Sequence, residues 1–411
     1  MSLAHGRDVS VAISAFFVKC VGFWFAENRC EQRFRNIMLT YTVLTISVSV
    51  WIQMQDLYYT WGDFSSRTYV ACNILCLSIS LFKLLILCVH KKGFLTLVVY
   101  MQKNFWNSHY TAHEETIFIN WKRLCAYFIC SFTLFTEMSN ISYAVRPILA
   151  NIGKNESDRI LPFNIYLNLP LSMTPYFEIA FVVQILALSH VGACYICFDN
   201  FLCLMNLHVA AQFRILQYRF ENIHRLKFNE GVPEERPGTS LEYCSEECYN
   251  TFRKCIQQHQ TLISFCKKLE EVFRTVVLAQ VITFSLLICF VGYQVVQVDL
   301  SMARRFTFIN LLLSNMCHLF MFTYSCDCLI QESTNIAVAV YTGPWTNLPM
   351  NKYGKMLRMD LQLAIMRSRQ PCCLTANGFF PVSLETYTSI LSTAISYFTL
   401  LRQSSGDIKT T

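Results

Sequence analysis

The chain has 411 residues, of which 54% are hydrophobic and only 15% charged, and its net charge is +7. A soluble domain carries about 25% charged residues, so an ordinary soluble domain is excluded. The apolar residues come in long blocks and most of the charge lies between them, which suits lipid and anionic headgroups rather than nucleic acid.

Before the first long block, Val11–Phe17 is apolar but short, interrupted by Lys19 and followed by no small-residue cleavage pattern. It does not read as a signal peptide, so the first full span is expected to direct insertion. Seven stretches can cross a hydrocarbon core about 30 Å thick, which needs roughly 20 helical residues. They are Ile37–Met54, Tyr69–Val89, Leu124–Ala144, Tyr176–Leu207, Val272–Val298, Phe306–Ile330 and Val382–Leu401. The fifth has no charge from Thr275 to Val298. The seventh is short and rich in Ser and Thr, so it is expected to face protein or water rather than lipid.

Between the spans, Leu207–Leu226 continues the fourth helix beyond the membrane. Asn229–Glu242, with two prolines and two glycines, reads as a disordered linker. Cys244–Glu271 resumes a helical pattern leading into the fifth span. Tyr353–Arg369 is amphipathic, with Met356, Leu357, Leu361, Ala364 and Ile365 able to share one face, and it stops before Pro371. The expected fold class is an all-α integral membrane protein of seven transmembrane helices with a cytosolic helical anchor region. Its expected divisions are 1–206 (N-terminal region and helices one to four), 207–271 (cytosolic extensions and linker), 272–330 (helices five and six), 331–381 (anchor helix segment), 382–402 (helix seven) and 403–411 (tail).

Lys and Arg flanking the spans set orientation. Arg29, Arg33 and Arg35 precede the first span, Lys91 and Lys92 follow the second, Lys122 and Arg123 precede the third, and Lys267 and Lys268 precede the fifth. This predicts a cytoplasmic N-terminus and an extracellular C-terminus. Arg304 and Arg305 oppose it, since they lie on the predicted outer side of the sixth span. Asn155-Glu-Ser157 is a glycosylation sequon on the predicted outer side.

The 20 cysteines are scattered, many of them inside apolar blocks, where thiols act as small hydrophobes. Cys194 and Cys197 have no second pair to complete a metal site. There is no H-E-x-x-H, no phosphate-binding glycine loop and no nucleophile elbow. Nothing argues for an enzyme, a metal or a cofactor.

In the last span Thr386, Ser389, Thr393 and Ser396 recur at steps of three or four and share a face that Leu400 continues. A row of hydroxyls ending in one leucine suits a water-filled path closed by an apolar constriction. The alternative is that the hydroxyls bond back to the helix carbonyls. The outer halves of spans two, three, four and six offer Tyr69, Asn73, Phe135, Ser139, Phe177, Phe181, Leu312 and Asn315. Aromatic walls with a few polar groups suit a small volatile molecule, against the alternative of ordinary interhelical contact. Lys83 is expected to snorkel toward the inner interface. Glu137 and Glu178 lie in outer halves. Asp199 and Asp327 lie toward cytosolic ends, where partners such as Arg214 or Arg358 are expected.

The last eighty residues resemble the insect odorant receptor family. The resemblance is carried by Cys328-Leu-Ile-Gln-Glu-Ser333, Ala339-Val-Tyr341 and Trp345, then by Met366-Arg-Ser-Arg-Gln-Pro371, Leu374-Thr-Ala376 and Gly378. Ser383-Leu384, Tyr387, Ile390-Leu391 and Ser396-Tyr397-Phe398 follow in the final helix. Upstream the likeness is looser, with His208 and Leu216 in the fourth helix. The resemblance implies an inverted seven-helix subunit in the plasma membrane of a sensory neuron dendrite. It implies an odorant pocket in the outer half of the bundle and a tetrameric, nonselective cation pore lined by the last helix. It further implies assembly with a shared co-receptor subunit, with Leu400 at the position of a pore gate and Gln403 just beyond it. A gustatory receptor of the same superfamily would keep the fold. A G-protein-coupled receptor fits worse, because no acidic-Arg-aromatic triplet closes the third span and no Asn-Pro-x-x-Tyr ends the seventh. A transporter would more often show repeats and broken helices.

Overall fold

A computed structural model describes residues 8–26, 28–62, 64–166, 171–223, 240–296, 302–347 and 350–408. Side chains are described for all of these except 157, 240–244, 303, 344, 347 and 401–408. The described chain is helical throughout: α1 Val9–Cys20, α2 Arg29–Tyr59, α3 Phe64–Val89, α4 Lys91–Met101, α5 Ala112–Asn151, α6 Tyr176–Glu221, α7 Ser240–Val296, α8 Met302–Thr342, α9 Lys352–Ser368 and α10 Leu384–Ile408. A π turn, Gln102–Trp106, extends α4. Each of the seven apolar blocks falls on its own helix. Six of these helices are long and apolar enough to cross a membrane. The seventh, α10, is not among the six, since its many hydroxyls dilute its apolar residues. Most of the linker at 229–242 lies outside the described residues, but its last three residues, 240–242, belong to α7.

Local chemistry sets several helix ends. The Asp8 carboxylate accepts the Ser10 amide at the start of α1. Thr111 and Glu114 form a reciprocal capping box on α5. Asn351 accepts the Gly354 amide and starts α9. Between α9 and α10 the chain makes a short hairpin, with Val382 N donating to Leu374 O and Ala376 N to Phe380 O, both at 2.9 Å. Its turn needs Asn377 and Gly378 at φ 52° and 85°, and glycine is the residue that adopts such angles without strain. The Leu374, Thr375–Ala376 and Gly378 motif is therefore a turn. It docks on α7 through Thr375 Oγ1, which donates to Glu270 Oε1 at 2.7 Å.

The arrangement reverses that of a soluble bundle. Leu134, Ile141 and Ile148 of α5 and Ile179, Val182 and Leu186 of α6 are exposed. Asn200, Asn206, His208, Gln280 and Gln294 are buried. Lipid is as good a solvent for leucine as the interior is, so helices that associate in it do so through close contact and polar pairs. The central post is α6. From Val191 to Phe213 all its residues but the half-buried Ala193 are buried, among α1, α3, α5, α7 and α8, the polar Asp199, Asn200, Asn206, His208 and Gln212 with the rest.

Beyond the apolar belt the C-terminal part of α6, the N-terminal part of α7 and the C-terminal part of α8 run on, and α9 lies against α7 and α8. Phe220 meets Phe252 edge-on at 5.7 Å, and the Tyr249 hydroxyl donates to Asp360 at 3.0 Å. Leu357, Leu361 and Ala364 of α9 are buried, whereas Met356 points away from them and is exposed. With Met359, Leu363 and Met366 it forms an exposed apolar stripe at helical spacing. The sequence pattern gave no sign of α4, and α1 was visible only as a short apolar stretch.

Candidate functional site

A cavity of about 490 Å³ opens among α2, α3, α5, α6 and α8 at the end of the bundle that carries the 152–175 loop. Its lining is mostly apolar, from Leu44, Val48, Ile52, Leu77, Leu188 and Leu311 among others. A sparse polar set interrupts that lining. Asn73 Nδ2 faces Gln53 Oε1 at 3.5 Å, and the Tyr143 hydroxyl donates to Asn73 Oδ1 at 3.2 Å. Thr136 and Ser314 hydroxyls lie 3.0 Å apart, and the Tyr195 hydroxyl donates to Asn315 Oδ1 at 3.4 Å. Gly192 also lines the wall, and a Cβ there would collide with the Asn140 amide.

Phe163 and Ile165, from the loop after α5, close part of the cavity. Gln184 of α6 holds that loop: its amide donates to Phe163 O at 2.9 Å, and its oxygen accepts Phe163 N at 3.0 Å. Asn151 makes the same two-way clasp with Ile160, at 2.8 and 2.7 Å. The cavity roof is thus fixed by two amide side chains.

Of the eight residues expected around a pocket, Asn73, Ser139 and Asn315 line this cavity. Leu312 sits beside the lining residue Leu311 and contacts the surrounding apolar clusters. Tyr69 lines a different cavity nearer the same end of the bundle. Phe135 is half-buried and offers its carbonyl to the Ser139 hydroxyl, but it lines neither cavity. Phe177 and Phe181 pair with each other at 6.0 Å on the outermost turns of α6, where Arg159 lies 5.4 Å over Phe177, and they also line neither. Sequence reasoning missed the whole α2 wall. The inward face of this first span carries only the sparse polar row Thr45, Ser49 and Gln53.

Directly below Tyr195 lies a buried polar knot. Lys83 Nζ donates to Asp199 Oδ2 at 2.5 Å, and His318 Nε2 lies 2.9 Å from the same oxygen. Lys83 and His318 are fully buried. The His318 ring stacks on Phe132 at 4.1 Å, its Nδ1 is 3.3 Å from the Tyr195 hydroxyl, and Lys83 lies 5.0 Å over the Tyr195 ring. This corrects the expectation that Lys83 snorkels, and Asp199 pairs with neither Arg214 nor Arg358. Asp327 makes no ion pair among the described residues. Its carboxylate accepts Gln331 Nε2 at 2.5 Å and the amide of Leu384, the first residue of α10, at 3.4 Å. Glu178 is exposed and pairs with Arg159 at 3.3 Å. Glu137 accepts from Asn140 at 3.4 Å.

On α10, Ile390 and Ala394 are buried, and Thr386 is buried where its hydroxyl accepts the Ser383 amide. Ser389, Thr393, Ser396 and Leu400 are exposed. Thr393 and Ser396 donate to carbonyls one turn back, at 2.8 and 2.9 Å, so back-bonding and an exposed hydroxyl face coexist here. Gln403 lies on α10, but its side chain is outside the described residues. Among the described residues no cluster of His, Cys, Asp or Glu could hold a metal.

Residues 62–395 match the family model described as 7tm Odorant receptor. Odorant receptor 13a of Drosophila melanogaster is 24% identical over 96% of each chain. Odorant receptor 10 of Aedes albopictus is 23% identical over 88% of this chain and 91% of its own. The fold superposes on the insect olfactory receptor OR5 from Machilis hrabei, solved in complex with eugenol. The TM-score is 0.80 at 13% identity, covering 98% of this chain and 99% of that one.

Proposed function

Because this chain belongs to the 7tm odorant receptor family, we propose that it is the odorant-binding subunit of a heteromeric, odorant-gated, nonselective cation channel. It works with a co-receptor subunit in the plasma membrane of a sensory neuron dendrite, with its N-terminus in the cytoplasm. The observation that carries the reading is the roofed cavity of about 490 Å³ among α2, α3, α5, α6 and α8. Its size falls in the range of about 300–1,000 Å³ usual for small-molecule sites.

The lining selects the ligand class. Apolar walls reward area burial at about 25 cal/mol per Å². The amide and hydroxyl groups of Gln53, Asn73, Ser314 and Asn315 offer hydrogen bonds but no ion pair. The matching ligand is a neutral volatile molecule with one or two polar atoms. That the related fold of OR5 was solved with eugenol fits such a ligand.

Gating follows from differential binding. The odorant holds the cavity better when the pore is open and so shifts an existing closed–open equilibrium. The pore wall is the exposed face of α10 with Thr393 and Ser396, Leu400 is the gate, and Gln403 lies just past it. The exposed stripe of Met359, Leu363 and Met366 on α9 gives the assembled subunits an apolar face to bury.

Co-expression with an insect odorant co-receptor in oocytes, under an odorant panel, tests the reading. The expected result is a fast cation current that needs both subunits and survives G-protein blockade. A response abolished by that blockade would refute it.

A further inference from the structure

A second cavity, of about 520 Å³, lies nearer the outer end of the bundle than the first, and Phe163 lines both. Its chemistry is different. Arg146 of α5 lines it with its guanidinium carbon 5.6 Å over the Tyr69 ring, and Arg304 of α8 lines it at 5.0 Å from the same ring. These are cation–π distances. Tyr69, only 7% exposed, lines the cavity, and its hydroxyl is buried without a hydrogen-bond partner among the described residues. Nη1 of Arg146 is buried and also has no partner, and Arg146 makes no ion pair among the described residues. The one carboxylate in the wall, Asp56, is already engaged. It accepts from Asn164 at 3.2 Å and from the Tyr166 hydroxyl at 3.0 Å.

A buried hydroxyl and a buried guanidinium N–H left unsatisfied are costly, and both are donors carried by residues that line one cavity. The complementary group is an oxyanion, which a guanidinium binds with charge-assisted bonds. The leucine, isoleucine, valine and proline of the remaining wall suit a short alkyl or aryl tail. The position also gives Arg304 local work at the end of the sixth span where orientation rules disfavour a basic residue.

We propose that this outer cavity is a second ligand site, distinct from the neutral odorant cavity, that binds a small organic carboxylate through Arg146 and the Tyr69 hydroxyl. Arg304 adds a second positive charge beside it. The inference does not depend on channel activity and is read by binding alone.

The test is calorimetric titration of the full chain in phosphatidylcholine nanodiscs, with hexanoate and with 1-hexanol as its neutral counterpart. Arg146→Met is expected to weaken hexanoate by about tenfold or more, the usual worth of a hydrogen bond to a charged group, and to leave 1-hexanol unchanged. Tyr69→Phe keeps the ring and should cost severalfold for hexanoate alone. It decides the matter if Arg146→Met does not fold. Hexanoate affinity unchanged in Tyr69→Phe and in a folded Arg146→Met would overturn the proposal. So would loss of hexanoate binding to the unmodified chain when phosphatidylglycerol is added to the discs, because that result assigns the cavity to a lipid phosphate.

Discussion

Lys83 and Asp199 are 116 residues apart in sequence and 2.5 Å apart in the fold, with no water-facing surface on the lysine. Removing one partner strands a charge in a low-dielectric interior, at a cost of about 3–5 kcal/mol. Lys83→Met is therefore expected to lower thermal stability in detergent sharply and to reduce surface expression. The double variant Lys83→Met with Asp199→Leu should recover much of the loss, because it leaves no lone charge. Equal loss in the single and the double variant would show that the pair itself, and not a stranded carboxylate, is what stability needs. His259, in the part of α7 outside the membrane, behaves differently. Burial, and then the Arg367 guanidinium, push it down from 6.5 to about 4. Between those values the unfolded chain takes up a proton that the folded chain refuses. The stabilisation is thus complete above pH 6.5 and is lost as pH falls toward 4. His259→Phe should flatten that decline, read as the shift in unfolding midpoint between pH 7.5 and 5. None of these pairings was legible in sequence. A 3.6-residue period says which face of a helix turns inward, but not which neighbour it meets, and so Lys83 looked like an ordinary snorkelling lysine.

At the scale of elements, apolar blocks did locate the seven long helices, six of which are long and apolar enough to cross a membrane, because a span in lipid must be helical and must be long. A breaker marked where α9 ends, before Pro371, but the Asn351 cap at its start emerged only in the fold. What composition could not reveal was α2 as a cavity wall, since its inward polar residues are few: Thr45, Ser49 and Gln53. For α10 the sequence posed two readings of its hydroxyls, a water-filled path and back-bonding to the helix, and the back-bonds are present. Thr393 and Ser396 bond back to the helix and remain on its exposed face. Leu400, also exposed, is the large apolar group that continues this face. If it closes the conduit by dewetting, Leu400→Ala should raise ligand-independent current severalfold in the co-expressed channel. An unchanged basal conductance would remove Leu400 as the gate.

Across the whole molecule, α8 touches both the cavity proposed for the odorant and the helix proposed for the pore. From its N-terminal end onward, α8 carries Ser314 and Asn315 in the cavity wall and His318 in the buried knot beyond it. About two and a half turns further on, Asp327 accepts the amide of Leu384 at the start of α10. A side-chain oxygen acceptor at a helix N-terminus is stabilising there, because it satisfies one of the first-turn amides. A small rotation or slide of α8, as odorant fills the cavity, would therefore carry the foot of α10 with it. Asp327→Ala cuts that tether without touching the cavity. The expected outcome is a lower maximal odorant current and an unchanged affinity in direct binding, because the coupling between sites is lost while the site itself is intact. Asp327→Asn keeps an acceptor oxygen and should fall between the two. If Asp327→Ala weakened binding and current in the same proportion, α8 would be acting as cavity wall alone, and the route from odorant to pore would have to run through α7, the other long helix against which α10 lies.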